Sequence, residues 1–417
     1  MINIKRNWVA AFWLSGFLLC AETAHGSPCE KLNSTQAVLS CALERHPSAR
    51  ISALATEQAI EATSVAKQAP NPELNSQSIF GGENTNKFST EFNFVHTFEL
   101  GGKRDSRIKR AAAEVKLVQA LQVKSQEEVY LESLIALYRL RQIQDELGAI
   151  DDALQTFAKI AKQYRARPKL SPDQRASLRI FEMAEQDYKM KRSPLEVETD
   201  LHLRELELSV GQNFVPQAST LPKRRKAWPL LPSTSAENSK MRGTKLLEAE
   251  ALLARARADL EVARSAAWPD LKIGPTISIQ RQTNQSYEAY GFNFTLPLPL
   301  YHRNAAGEIY ASKGLERASL ARLAAEKESE DQKAYFRRRY EGAVGVLTQS
   351  ASAAEIVKKH DEVEKLFGQG FLNGTVLVEI HRQVSDFTKT QNEQELVAVE
   401  SLVRYYALEG KFFEVTE

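Results

Sequence analysis

The side chains that could do chemistry are scattered along this sequence. None of the seven histidines belongs to an HExxH motif or to a close pair of histidines, the spacing with which zinc enzymes present two imidazoles and a glutamate. Gly101-Gly102-Lys103 follows a predicted strand and opens a predicted helix, but it lacks the spacing of a phosphate-binding loop. We therefore predict no enzyme activity and no catalytic, cofactor-binding or metal-binding residues. Metal contact at His381, near a predicted turn, is a separate hypothesis.

The first 26 residues have the pattern of a secretory signal peptide. Lys5 and Arg6 precede an apolar run over residues 8–19, and residues 24–26 supply small side chains for a cleavage site. A run of about a dozen apolar residues is short for a bilayer span. We predict that residues 1–26 are removed on export, and a retained membrane anchor is the alternative.

Two cysteines, Cys29 and Cys41, remain after this cleavage. An even number of cysteines in an oxidising compartment favours a disulfide bond between them, and two unpaired thiols are the alternative. Such a bond would tie the mature N-terminus to the first helix.

The bulk composition excludes several classes of protein. Charged residues make up 26% and hydrophobic residues 43% of the 417 residues, which argues against general disorder. A formal net charge of +2 lacks the excess of positive charge that is typical of proteins that bind nucleic acid. After the signal peptide no run reaches about 18 consecutive apolar residues, so a mature chain that crosses a membrane would need a closed β-barrel.

An internal repeat organises the rest of the chain. Residues 92–104 (FNFVHTFELGGKR) resemble residues 292–304 (FNFTLPLPLYHRN) about 200 residues later. We predict a first structural repeat over 27–211, a proline-rich connector over 212–243 and a second repeat over 244–417.

Both repeats show the same order of elements, with helices rich in Ala, Leu, Glu and Arg and strands bounded by Pro, Gly and Asn. In the first repeat we predict a helix over 35–69, strands over 73–82 and 88–98, a long helix over 103–164 and a helix over 172–211. In the second repeat we predict a helix over 244–267, strands over 271–282 and 288–298, a long helix over 304–369 and a helix over 375–410. Long charged helices of this kind bury a narrow seam against their neighbours, as coiled-coil hairpins do.

The predicted strands alternate between apolar and polar residues. Phe92, Phe94, His96 and Phe98 fall on one face, as in a transmembrane barrel, and a soluble sandwich would show the same alternation. Four strands cannot close a membrane barrel, whose smallest size is about eight strands. Three chains would supply twelve strands. Two chains would supply eight, which is about the smallest number that closes a membrane barrel.

Three short motifs carry a resemblance to a known family. They are FELGGKR at 98–104, LPLPLYHRN at 296–304 and the FxxG turn at 367–370. Together with the repeat and the signal peptide they resemble the TolC-like outer-membrane efflux family, and the first motif resembles its heavy-metal-efflux branch. The resemblance implies a mainly α fold with a small transmembrane β-barrel: coiled-coil hairpins form a long α-helical barrel, and four strands per chain form a twelve-stranded barrel in a homotrimer.

The resemblance also implies a function. The protein would be a passive channel in the outer membrane of a Gram-negative bacterium, exporting heavy-metal cations or drugs, with a periplasmic adaptor and an inner-membrane pump of the resistance-nodulation-division type as partners. The alternatives are a periplasmic adaptor protein and a coiled-coil structural protein without a pore. An adaptor would have a single helical hairpin and no duplication.

The same resemblance places candidate residues at the end of the helical barrel. Glu379 would line the lumen and favour cations, although a solvated surface glutamate is the alternative. The turns at 165–172 and 368–374, which end the long helices, would form the periplasmic tip that docks the adaptor. The candidate docking residues are Arg167, Leu170, Phe367, Gly370 and Phe371.

Overall fold

A computed structural model describes residues 29, 31–81, 87–211, 214–232, 242–282 and 285–412. The predicted signal peptide lies outside the described residues. The helices and strands follow in chain order: α1 Thr35–Arg45, α2 Pro47–Ala66, β1 Glu73–Phe80, β2 Lys87–Glu99, α3 Lys103–Arg165, α4 Pro172–Val210, α5 Thr244–Ser265, β3 Asp270–Gln282, β4 Gln285–Thr295, α6 Ala305–Gln349, α7 Ala353–Gly368 and α8 Gly374–Leu408.

The four strands form one antiparallel sheet in the order β1-β2-β3-β4. The two repeats meet at its centre, where Phe92 of β2 lies opposite Ile277 of β3. Strand β4 ends at Thr295, short of the predicted end at residue 298. The prolines at 297 and 299 explain the difference, because proline has no N–H to donate to a neighbouring strand.

A helical hairpin dominates the first repeat. Helix α3 contains 63 residues and is therefore about 95 Å long. Helix α4 returns beside it and begins with a capping box, in which the Ser171 hydroxyl accepts a hydrogen bond from the Gln174 N–H. The cap satisfies N–H groups that the first turn of a helix leaves without partners.

Two of the predicted helices are wrong, because each is interrupted. The predicted helix over 304–369 divides into α6 and α7, since Ser350 adopts an extended backbone with ψ 151° and Ser352 starts a new helix through a capping box with Glu355. The predicted helix over 35–69 divides at His46, whose backbone is also extended. Proline at position 47 disfavours a helical conformation for the residue before it and suits the first turn of α2.

The core is a seam along the hairpins rather than a single compact mass. Its largest cluster joins α1, α3, α4, α6 and α8, and Tyr130 and Leu137 are among its buried side chains. The disulfide bond between Cys29 and Cys41 anchors the N-terminal segment to this cluster, with the two Cα atoms 4.9 Å apart. A second cluster near the far end of the hairpins contains Phe157.

In the described segments, no helix combines the length and the apolar character that a bilayer span requires.

Candidate functional site

One face of the sheet is apolar and uncovered. Ser76, Phe92, Ile277 and Tyr290 lie opposite one another across the four strands, and residues paired in this way share a face. Phe292, on the same face of β4, is 85% exposed. The large exposed side chains of this apolar face are Leu74, Phe80, Phe88, Phe92, Phe94, Phe98, Ile273, Ile277, Tyr290, Phe292 and Phe294. An exposed apolar surface of this size indicates contact with an apolar environment or with a partner.

The opposite face of the sheet is mostly polar and is linked by hydrogen bonds. The Asn93 carboxamide oxygen accepts a hydrogen bond from the Thr276 hydroxyl and one of 3.4 Å from the Asn293 amide. Asn93 and Asn293 occupy equivalent positions in the two FNF motifs, so the duplication places matching side chains beside each other. Lys272 pairs with Glu73 at 2.8 Å on the same face.

The two turns that end the hairpins lie side by side. The rings of Phe181 on α4 and Phe367 on α7 are 6.2 Å apart. Gly374 sits so close that a Cβ there would lie 2.9 Å from the Phe181 ring. The structure therefore brings together the two turns, 165–172 and 368–374, that the resemblance places at one tip.

The predicted tip residues have different environments. Phe367 packs against the second hydrophobic cluster, which contains Phe157 and Phe181, so it supports the turn. Phe371 is 75% exposed, and Gly370 permits the reversal with φ at 81°. In the other turn Leu170 is half-buried, and the exposed Arg167 places its guanidinium 5.3 Å from the Tyr164 ring centre.

Glu379 is half-exposed on α8, and its charge is compensated locally. Arg382 donates two hydrogen bonds to it, at 2.6 and 2.9 Å, and Gln383 donates one at 2.9 Å. These donors, led by Arg382, lower the pKa of the Glu379 carboxyl to about 2. Arg382 also pairs with Asp386 at 2.9 Å. The carboxylate is therefore ionised at physiological pH, and the group of three side chains carries a net charge of −1.

A cluster of side chains that could bind a metal ion lies beside the tip, and His381 is the one member that the sequence had singled out for metal contact. Asp152 of α3, His360 and Glu364 of α7 and His381 of α8 offer ligand atoms that all lie within 4.8 Å of one another. His360 Nε2 and His381 Nδ1 are 3.0 Å apart. Burial, and secondarily the nearby His360, lowers the pKa of His381 to about 4, so this imidazole is neutral at physiological pH.

The sequence did contain part of this cluster. His360 and Glu364 are four residues apart, which places them on one face of a helix. The prediction of no metal-binding residues considered only close histidine pairs and HExxH. Such motifs cannot reveal a cluster whose members come from three different helices.

Comparisons with known proteins show the fold. Neither a family model nor a curated protein matches the sequence. Among solved structures, the open-state MtrE outer membrane channel of Neisseria gonorrhoeae matches with a TM-score of 0.72 at 16% identity, over 91% of this chain and 90% of that one. The CmeC outer membrane channel of Campylobacter jejuni matches with a TM-score of 0.69 at 12% identity, over 92% of this chain and 87% of that one.

A third match is the outer membrane protein VceC of Vibrio cholerae, with a TM-score of 0.63 at 14% identity, over 91% of this chain and 96% of that one. The chain has the fold of these outer-membrane proteins. Each match covers at least 87% of both chains.

Proposed function

We propose that this protein is a TolC-like outer-membrane channel of a tripartite efflux system, a passive conduit for substrates leaving the cell. The observation that carries the proposal is the sheet with one exposed apolar face and one hydrogen-bonded polar face, including Ile277 on the first and Thr276 on the second. Alternation of this kind suits a wall between lipid and water. The fold shared with outer-membrane channels supports the same interpretation.

A trimer would complete this wall. Strands β1 and β4 are the edges of the sheet and leave backbone N–H and C=O groups without strand partners, which lipid does not tolerate. Joining β4 of one chain to β1 of the next closes the sheet, and three chains give twelve strands. The long hairpins would then form the helical barrel that continues the channel into the periplasm.

The tip would dock the periplasmic adaptor, and the inner-membrane pump, of the resistance-nodulation-division type, would drive transport. Phe371 offers an exposed apolar contact on one turn, and Arg167 offers a charged contact on the other. In a trimer, three copies of Glu379 would face the lumen. In each copy Arg382 pairs with both Glu379 and Asp386, which leaves a net charge of −1 to favour cations. Heavy-metal cations and drugs are the two substrate classes to compare by testing a deletion strain for sensitivity to each.

A matched pair of substitutions tests the membrane wall. Ile277 and Ser278 are neighbours in the central strand β3, and they point to the apolar and polar faces respectively. Ile277→Arg places a charge against lipid, where arginine costs about 2–4 kcal/mol at the membrane midplane, and should prevent assembly of a heat-modifiable trimer in outer membranes. Ser278→Arg should preserve assembly and shift the ion selectivity measured in planar bilayers towards anions.

The wild-type measurements decide between a channel and a scaffold. The mature protein should require detergent for extraction, migrate as a trimer and give ion conductance in planar bilayers. Equal tolerance of arginine at Ile277 and Ser278, together with extraction in the absence of detergent, would refute the proposal.

A further inference from the structure

Four side chains from three helices converge beside the tip. His360 and Glu364 come from α7, Asp152 comes from α3 and His381 comes from α8. We propose that they form a binding site for a divalent transition-metal ion, with Zn²⁺ as the best chemical match, which joins the α7–α8 hairpin to α3. The proposal concerns a resident ion and does not depend on the channel function.

The distances between ligand atoms fit one shared ion. His360 Nε2 lies 3.0 Å from His381 Nδ1, 3.8 Å from Asp152 Oδ2 and 4.0 Å from Glu364 Oε1. His381 Nδ1 lies 4.0 Å from Asp152 Oδ2. In a tetrahedral zinc site with bonds of 2.0–2.2 Å, ligand atoms are separated by about 3.3 to 3.6 Å. Side-chain adjustments of less than about 1 Å would therefore complete the coordination.

The donor set matches the chemistry of the ion. Histidine binds a metal ion through its neutral imidazole, so two bound imidazoles and two carboxylates would carry a net charge of −2, which a divalent cation neutralises. Imidazole nitrogen with carboxylate oxygen is a ligand combination that zinc accepts. The two histidines are almost completely buried, at 6% and 2% exposure, whereas the Asp152 side chain is 57% exposed and gives the ion a route from solvent.

One buried nitrogen of the cluster has no partner. His381 Nε2 makes no hydrogen bond, although Glu364 Oε1 lies only 3.3 Å away in a poorly aligned position. The His381 ring and the Glu364 carboxylate are therefore close enough to bind the same ion. The Thr156 hydroxyl already donates to Glu364 Oε1 at 3.2 Å and orients that carboxylate.

The site borders a groove of about 680 Å³ that contains both acidic and basic side chains. Its charged and titratable lining comprises Arg141, Asp145, Asp152, Lys223, Arg224, His360, Asp361 and Glu364. The two acidic neighbours outside the proposed set are Asp361, 3.6 Å from His360 Nδ1, and Asp145, which pairs with Arg224 at 3.2 Å. Asp361 lies beyond hydrogen-bond distance of His360 Nδ1, and a small side-chain movement would bring it into the position of the outer-shell partner that usually orients a metal-binding histidine.

The test is direct metal binding by the full-length mature protein, purified in detergent without a histidine tag and stripped with a chelator. Titration with Zn²⁺ should show one ion bound per chain, and Co²⁺ should give the visible absorption of a four-coordinate site. Asp152→Asn and His381→Gln should each weaken Zn²⁺ binding by at least about tenfold. Thr156→Val, which removes only the second-shell bond, should weaken it by about 10- to 100-fold.

His202→Gln is the matched control, because His202 also lies near two carboxylates, Glu198 and Glu205, but all three residues belong to α4 and no other described helix adds a ligand. This variant should bind Zn²⁺ like the wild type. Far-UV circular dichroism confirms folding, and Asp152→Asn keeps the test valid if the buried His381 variant fails to fold. Absence of Zn²⁺ binding by the wild type, or equal binding by Asp152→Asn and the wild type, would overturn the proposal. Bilayer conductance tests the channel function separately.

Discussion

Replacing Glu395 with glutamine should strongly destabilise the middle of the helical hairpins. Glu395 on α8 is 2% exposed and accepts hydrogen bonds from the guanidinium of Arg141 and from the Gln142 carboxamide at 3.3 Å. The Arg225 backbone N–H donates a third bond of 3.4 Å. The side chain of Arg141 is only 12% exposed, and its other acidic neighbour, Asp145, is 3.8 Å away.

The magnitude follows from the burial of this pair. Removing one partner of a buried ion pair costs about 3–5 kcal/mol, because the remaining charge stays away from water without compensation. Glutamine keeps an acceptor oxygen and Asp145 stays nearby, so we expect the lower end, about 3 kcal/mol. By contrast, the pair of Asp200 and Arg204 on α4 is exposed at 63% and 74%. Asp200→Asn should therefore cost only about 0.3–0.5 kcal/mol.

The assay is guanidinium unfolding of the purified protein in detergent, followed by far-UV circular dichroism. A double variant, Glu395→Leu with Arg141→Met, removes both charges and should recover most of the loss, since apolar residues can replace a buried ion pair at little cost. Equal midpoints for Glu395→Gln and Asp200→Asn, or a double variant worse than the sum of its single variants, would refute the reasoning.

Three further predictions concern a turn, a titrating carboxyl and the disulfide bond. Gly101 and Gly102 both have positive φ, but only at Gly101 would a Cβ meet another side chain, 2.4 Å from the Trp268 ring. Gly102→Ala should cost about 1–2 kcal/mol and Gly101→Ala more, as measured by guanidinium unfolding. Burial raises the pKa of Glu127 from 4.5 to about 7, so the folded state holds a proton that the unfolded state releases. Stability should fall as pH rises from about 4.5 through 7, and Glu127→Gln should flatten this slope in unfolding midpoints compared at about pH 5 and pH 8. Cys41→Ser should cost about 3 kcal/mol, the entropy of a short closed loop, while reducing agent should lower the wild-type midpoint and leave that of the variant unchanged.

The local elements were largely predictable because their signals are local. The alternation around Phe92 and Phe292 depends only on the two-residue period of a strand, and β2 spans Lys87–Glu99 where residues 88–98 were predicted. The hairpin reversal at Ser171 depends on capping within one turn. The break before Ala353 also has a local signal, the pair Ser352 and Glu355. The prediction of one long helix over 304–369 did not use this signal.

The candidate sites depended on contacts between distant parts of the chain. Asp152 and Glu364 are more than 200 residues apart, and no periodicity relates them. Glu379 was predicted as a lumen charge from its position. Its pairing with Arg382, three residues away on α8, is by contrast a local contact that the sequence could have indicated. Phe367 and Phe371 look equivalent as exposed aromatic residues in a turn, and only the packing against Phe181 separates them.

By itself the sequence determined the duplication, the alternating strands and the long helices, because each of these follows from neighbours within a few turns or from similarity between two segments. The tertiary structure decided which faces meet: it placed Asn93 beside Asn293 on the polar face of the sheet, and it brought His360 to His381 beside the tip. Side-chain contacts across helices depend on the rotation and register of each rod. A shift of one residue turns a helix by about 100°, so these contacts are set only when the whole hairpin has packed.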